Sequence, residues 1–329
     1  MIESPLSEAL FFAAGALMLG IIMLVRGGNW MIDASIYIAR HCGIPPMIVG
    51  LTIVAFGTSL PELVVSVNAN LAGLPGIAIG NVVGSNTANI LLIIGATACM
   101  TTITVAKGGM NRDLAVMILA AILLAALMIT DNLNRATGIA MVLALIGYTF
   151  WQYWSATHED NEEGEDHKKF KSLPYSFLFL IAGLAFIIIG AEFLVRGAKL
   201  SAEIIGVPDA VIGLTIIAVG TSLPELTTCL IAAIKKQHGI VIGNIVGSNI
   251  FNILMIIGLA SLIKPIPTAQ LAPQLLSVDI WVMCAASILF ALILMTIKKV
   301  NRLTGILFLC GYLGYVISVY VLGLSGPQG

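Results

Sequence analysis

The sequence predicts an all-α membrane protein of ten transmembrane helices, arranged as two inverted-topology repeats of five with a broken motif helix in each. Three observations lead there. Hydrophobic residues make up 59% of the 329 and charged residues only 10%, far below the roughly 25% charged of a soluble domain. Apolar runs long enough for the ~20 residues of a spanning helix fall at 8–41, 46–70, 76–100, 113–130, 136–154, 174–205, 208–234, 240–263, 275–297 and 303–323. The stretch from Gly50 to Gly95 recurs from Gly213 to Gly258 with roughly 28 of 46 positions identical, an internal repeat by direct self-comparison.

The first five spans fill 1–154 and the last five 173–329, with the repeated motif at 50–95 and 213–258. The runs at 8–41 and 174–205 exceed one membrane thickness and carry Arg26 and Asp33, or Arg196, Lys199 and Glu203, in their later parts. Tilting or an interfacial turn is expected there. The N-terminus has no basic n-region, so no cleavable signal peptide is expected. Arg40, Lys107, Arg112, Lys168, Lys169, Lys171, Lys235, Lys236, Lys298, Lys299 and Arg302 fall on one face, against Arg135 and Lys264 on the other. The positive-inside bias then places both termini outside and the central loop in the cytoplasm of a multi-pass cell-membrane protein. An odd number of spans per half makes the repeats antiparallel.

Between the halves, 155–172 is an acidic run followed by a basic one, read as a solvated linker. It lacks the ligand spacing of an EF-hand loop. Cys42, Cys99, Cys229, Cys284 and Cys310 show no ligand spacing and are expected to pack as small hydrophobes.

The two copies share more than apolar residues: Thr58/Thr221, Ser59/Ser222, Pro61/Pro224, Glu62/Glu225, Asn81/Asn244, Ser85/Ser248 and Asn89/Asn252. Thr58, Glu62 and Ser66 recur every four residues, as do Asn81, Ser85 and Asn89, so each set lies on one helical face. A carboxylate at the bilayer centre costs ~2.5–3.5 kcal/mol even on the lenient insertion scale, so these faces must look into the bundle.

Gly57-Thr58-Ser59-Leu60-Pro61-Glu62 reads as a helix that stops and restarts. Ser59 is placed to cap, Pro61 suits a first turn, and Ser59 and Glu62 have capping-box spacing; Gly220 to Glu225 repeats this. Such a break would free backbone carbonyls around Ala55 and Ala218, tolerated at membrane depth only where they line a cavity or meet a ligand.

A pseudo-two-fold axis would bring Glu62 and Glu225 together, and no Lys or Arg lies in the middle of these helices to balance them. The balancing charge is then a bound cation or protons. The oxygens on offer are those of Glu62, Glu225, Thr58, Thr221, Ser59, Ser222, Ser85, Ser248, Asn89 and Asn252, with the freed carbonyls. Ca2+ takes 6–8 oxygens at about 2.3–2.6 Å in irregular geometry, so the set suits Ca2+, with Na+ as a competitor of similar size. Softer metals lack cysteine and histidine ligands here. A bland alternative has the two glutamates capping half-helices and the Ser and Asn side chains gluing neighbouring helices.

With Gly57 to Glu62, Gly84-Ser85-Asn86-x-x-Asn89 and their copies, the chain closely resembles the calcium:cation antiporter superfamily, specifically prokaryotic sodium/calcium exchangers. The resemblance covers nearly the whole chain. It implies cation ligands at Thr58, Ser59, Glu62, Ser85, Asn89, Thr221, Ser222, Glu225, Ser248 and Asn252, with backbone oxygens at Ala55 and Ala218. It also implies that the two long spans slide past the motif bundle to switch access. Asn252 stands where several members, including potassium-dependent ones, carry Asp, which argues against K+ cotransport. The proton/calcium branch usually has a different motif around its acidic residue.

Exchange of Na+ for Ca2+ is therefore the expected function, with K+-dependent or H+-coupled exchange and a cation channel as alternatives. No enzyme motif of the G-x-S-x-G or HExxH kind is present. No enzyme activity, cofactor or nucleic-acid partner is expected; the partners are Ca2+, Na+ and the lipid bilayer.

Overall fold

The computed structural model describes residues 5–105, 110–156, 172–204 and 220–325. The described residues are almost wholly helical. In order, the long elements are α1 (Pro5–His41), α2 (Pro46–Thr58), α3 (Leu60–Leu71), α4 (Pro75–Met100), α5 (Met110–Ile129), α6 (Arg135–Ala156), α7 (Leu173–Ile204), α8 (Leu223–Ile234), α9 (His238–Ile263), α10 (Leu275–Thr296) and α11 (Arg302–Ser325). Eight of these are long and apolar enough to cross a membrane, and α2 with α3, bent by 43° at their junction, makes a ninth. Of the expected span 208–234, only the part from Gly220 onward is among the described residues, as are only the edges of the linker 155–172. α1 and α7 each run as one uninterrupted helix, 37 and 32 residues long, and no interfacial turn ends the spanning part within them.

Apolar side chains cover the outside. Phe11, Leu119, Leu143, Phe150, Ile181 and Leu307 are exposed, an arrangement suited to hydrocarbon and not to water. The inside belongs to the motif helices, above all α9, which is buried along its whole apolar length. Small residues permit that depth. A Cβ at Gly243 would collide with the Met47 carbonyl and one at Gly247 with the Leu51 carbonyl, so α9 touches α2 backbone to backbone.

α1 and α7 meet along a seam of glycines spaced by seven. Gly20 lies against Gly190, Gly27 against Gly183, and Gly197 against Ala13 and Leu17, so the two helices run antiparallel. A seven-residue period is the repeat of a left-handed helix pair. At one end Lys235 Nζ, just past α8, reaches Asp33 Oδ1 of α1 at 2.6 Å, tying this pair to the motif helices.

The turns within the two motifs are equivalent. Gly73, between α3 and α4, has φ +82°, and Lys236, between α8 and α9, has φ +57°. In both, two backbone N–H groups fold back on the preceding helix: Gly73 on Asn70 and Leu74 on Ala69, then Lys236 on Ala233 and Gln237 on Ala232. The Asn70 amide adds a bond across the molecule, donating to the Ala260 and Lys264 carbonyls at 2.9 and 2.7 Å, and so closes the end of α9. A two-stranded ribbon, β1 (Ile103–Thr104) with β2 (Lys299–Val300), joins the segments after α4 and α10.

The seam predicts a specific sensitivity. A Cβ on Gly183 would sit 2.6 Å from the Gly27 carbonyl and 2.7 Å from the Met31 nitrogen, backbone atoms with no room to yield. Gly183→Ala is expected to lower the melting temperature of the purified protein through overpacking worth ~1–3 kcal/mol. Gly147→Ala, with nothing within 4 Å of its Cβ among the described residues, is expected to be neutral or stabilising in the same thermal scan.

Candidate cation site

The first motif helix is interrupted by a single residue, Ser59. Ser59 has φ −84° and ψ 2°, and Ser222 has φ −88° and ψ 3°, so α3 and α8 begin from the same backbone conformation. Pro61 and Pro224 follow in the first turn of α3 and α8. Without an N–H, Pro61 leaves the Gly57 carbonyl no partner four residues on. The expected opening at Ala55 is not what the break produces: the Ala55 carbonyl accepts the Ser59 N–H at 3.0 Å, because only one residue leaves the helix. Its second lone pair faces the Thr58 hydroxyl at 3.4 Å, a long contact. Its counterpart Ala218, with the rest of 213–219, lies outside the described residues.

Capping is a second correction. Neither Ser59 nor Ser222 caps the helix that follows. The Ser59 hydroxyl is buried with no hydrogen-bond partner, and both carboxylate oxygens of Glu62 and of Glu225 are in the same condition. The spacing of a capping box is present, but its bonds are absent because these side chains turn inward.

Glu62 and Glu225 are 0% and 1% exposed and close enough for their charges to act on one another. Thr58 and Ser59 from the first half approach the carboxylate of Glu225 from the second, without closing a hydrogen bond on it. Thr58 instead leans on the Ala55 carbonyl at 3.4 Å and on Asn244 Oδ1 at 3.3 Å. Ser222 is buried and Thr221 half-buried beside them.

α4 and α9 contribute the rest. A π-helical turn begins at Asn89 (Asn89–Ile94) and another at Asn252 (Asn252–Ile257), one turn after Ser85 and Ser248; such turns recur at functional sites. The Asn89 amide nitrogen donates to Asn249 Oδ1 at 3.0 Å and that of Asn252 to Asn86 Oδ1 at 2.9 Å. Their own oxygens are left buried and unpartnered, as is the Ser248 hydroxyl. Asn86 and Asn249 were not among the expected site residues. The doubled Gly-Ser-Asn of the motif was the available signal, but nothing in it distinguishes a ligand from a support.

Around this lies a support that differs between halves. Asn81 donates to Ser66 Oγ at 3.0 Å and to the Glu62 carbonyl at 3.3 Å, while Ser66 donates to the Ala78 carbonyl at 3.5 Å. In the second half Asn244 donates to Cys229 Sγ at 3.5 Å and Cys229 to the Val241 carbonyl at 3.8 Å. Cys229 is thus the polar counterpart of Ser66, and not merely a small hydrophobe.

A comparison inside the molecule shows what the glutamates lack. Asp113 is equally buried, yet its Oδ1 accepts from Tyr148 at 2.8 Å and Gln152 at 2.9 Å, with Arg112 Nε at 3.6 Å. The ion pairs found among the described residues use Asp33, Asp113, Glu192 and Glu203; none uses Glu62 or Glu225. Two like charges ~5 Å apart repel by ~3 kcal/mol at an effective dielectric of about 20, and a buried charge without a partner costs more again. Ser59, Glu62, Asn89, Glu225, Ser248 and Asn252 together hold eight unpartnered buried oxygens. That donor set is all hard oxygen, the chemistry of Ca2+ and Na+.

The sequence pattern of the sodium/calcium exchanger protein family matches residues 12–154 and 175–321, nearly the whole of both halves. The chain belongs to this family. It is 31% identical to the sodium/calcium exchanger MaX1 of Methanosarcina acetivorans, over 93% of this chain and 98% of that protein. It is 32% identical to the inner membrane protein YrbG of Escherichia coli, over 95% of this chain and 98% of that one. Among solved structures it superimposes on the sodium-calcium exchanger NCX_Mj with a TM-score of 0.82 and 35% identity, covering 94% of this chain and 99% of the other. This family member is accordingly a multi-pass membrane antiporter of the cation/Ca2+ exchange class, and its family is one of transporters and not of enzymes.

Ser59→Ala separates the two roles considered for that hydroxyl. A lost cap would cost ~1 kcal/mol. Since Ser59 makes no cap bond, the substitution is expected to leave the melting temperature unchanged while weakening Ca2+-dependent thermal stabilisation of the purified protein.

Proposed function

We propose that the protein exchanges Na+ for Ca2+ by alternating access, through a midplane site built on Glu62 and Glu225 between two inverted five-helix repeats, 1–154 and 173–329. The observation that carries this reading is the group of eight unpartnered buried oxygens, four of them carboxylate, with no ion pair to either glutamate among the described residues. Thr58, Ser59, Glu62, Ser85, Asn89, Thr221, Ser222, Glu225, Ser248 and Asn252 are the proposed side-chain ligands, with backbone oxygens at Ala55 and Ala218. Antiparallel packing of α1 on α7, matching backbone angles at Ser59 and Ser222, and equivalent turns at Gly73 and Lys236 support the inverted arrangement. The lysine and arginine distribution supports termini outside and the linker 155–172 in the cytoplasm.

Coupling follows from electrostatics. One Ca2+, or two or more Na+, neutralises the glutamate pair, and the neutral site can close and reopen on the other face. An empty site would carry its two negative charges through the closed state, at several kcal/mol per ion even after relaxation. Return without cargo is therefore slow, and the two ions exclude each other because they share oxygens. Asn252 in place of a carboxylate keeps the formal charge of the motif residues at the two glutamates, which favours exchange without K+.

Two measurements test this in proteoliposomes. Glu62→Gln and Glu225→Gln are each expected to abolish Na+-gradient-driven 45Ca2+ uptake while the protein elutes as the wild type does; normal uptake in both would refute the site. Without Na+ on the opposite side, wild-type uptake is expected to fall to background and to be insensitive to added K+. Sustained Ca2+ entry with no counter-ion would mark a channel.

A further inference from the structure

Four asparagines, Asn86, Asn89, Asn249 and Asn252, are each 1% exposed and stand where the two halves meet. A carboxamide has one donating and one accepting end, and burial demands that both be placed correctly. Their bonds form two directional chains. In one, the Asn252 nitrogen donates to Asn86 Oδ1 at 2.9 Å and the Asn86 nitrogen donates to the Asn249 main-chain carbonyl at 3.1 Å. In the other, the Asn89 nitrogen donates to Asn249 Oδ1 at 3.0 Å and the Asn249 nitrogen donates to Met117 Sδ at 3.7 Å.

Each chain can be followed from its far end. A main-chain carbonyl only accepts, so Asn86 must turn its nitrogen to it and its oxygen to residue 252. Asn252 must then present a donor to Asn86, which leaves its own oxygen buried and without a partner. Turning either amide over would set oxygen against oxygen, at the full cost of buried unsatisfied groups. The second chain runs the same way but ends on a thioether, a weak acceptor, so its direction is less firmly held.

Resting on the cation-site reading above, we infer that Asn86 and Asn249 are positioning residues. Each holds the carboxamide ligand of the opposite half with its nitrogen outward and its oxygen toward the cation, and Asn86 is the firmer of the two. Neither touches the cation. Asn86 also makes residue 252 a donor position: a carboxylate there would face the Asn86 oxygen directly.

The test uses the full chain in proteoliposomes, reading Na+-gradient-driven 45Ca2+ uptake against Ca2+ concentration. Asn86→Ala is expected to raise the KM for Ca2+ about tenfold, the size of one lost neutral hydrogen bond, with a smaller change in maximal rate. Asn249→Ala is expected to raise it less, about threefold, because the chain it removes is anchored only on the thioether. The decisive readout is a double-mutant cycle. If Asn86 acts through Asn252, then N86A/N252A has the KM of N252A alone. An unchanged KM in N86A, or a double mutant carrying the product of both single losses, overturns the assignment. Should N86A fail to elute as a single species, N86S retains a small polar group at the position and its cycle with N252A is read in the same way. Normal uptake in both Glu62→Gln and Glu225→Gln would sink the cation site itself; dead glutamate variants with an additive asparagine cycle would sink only the positioning role.

Discussion

Two carboxylates held together in a lipid-shielded interior, with no cationic side chain among the described residues to meet them, are the constraint on which the remaining structure depends. Nothing in a membrane interior tolerates such a pair unaided. The protein could have supplied an arginine, and it does so at Asp113, where Arg112, Tyr148 and Gln152 converge on one buried acid. At Glu62 and Glu225 it supplies oxygens instead. On the proposed reading, the same electrostatic deficit that would destabilise a purely structural pair makes the cargo part of the folded interior, and ties movement of the site to its occupancy.

Bringing those acids together requires backbones to approach more closely than ordinary side chains permit. Gly243 and Gly247 let α9 lie directly on α2, and the break at Ser59 lets α3 leave the line of α2 just before Glu62. In lipid, helices gain little from burying apolar surface against each other, so close van der Waals contact and interhelical hydrogen bonds must do the joining. The glycine seam between α1 and α7 is the same solution applied to a different pair. It makes the two long helices a closely packed unit, tied to the motif helices at one end by Asp33 and Lys235.

Where both copies of the motif are described, their turns and helix starts correspond in backbone but not in every side chain. Ser66 is replaced by Cys229 with its bonding pattern kept, and Gly73 by Lys236 with its left-handed turn kept. At both positions the second half keeps the bonding or backbone geometry while changing the side chain. The asparagine chains show the difference more finely, since equivalent amides end on a main-chain carbonyl in one half and on a thioether in the other. Two half-sites of the same composition therefore need not be equally rigid.

Most of the architecture was legible in the residues alone. Long apolar runs, a duplicated polar motif and the four-residue spacing of Thr58 with Glu62 and of Ser85 with Asn89 are local properties, and periodicity reports them directly. They yielded the helices, the inward faces and the oxygen inventory. What the spacing could not decide was which way each polar side chain turns. The separation of Ser59 and Glu62 fits a capping box equally well, and only the folded chain shows both turned inward and the Ala55 carbonyl already engaged. Asn86 and Asn249 looked like any other polar residues of the motif. Their role depends on partners about 160 residues away, and an amide's orientation is set by what it meets across the interface, which no local pattern encodes.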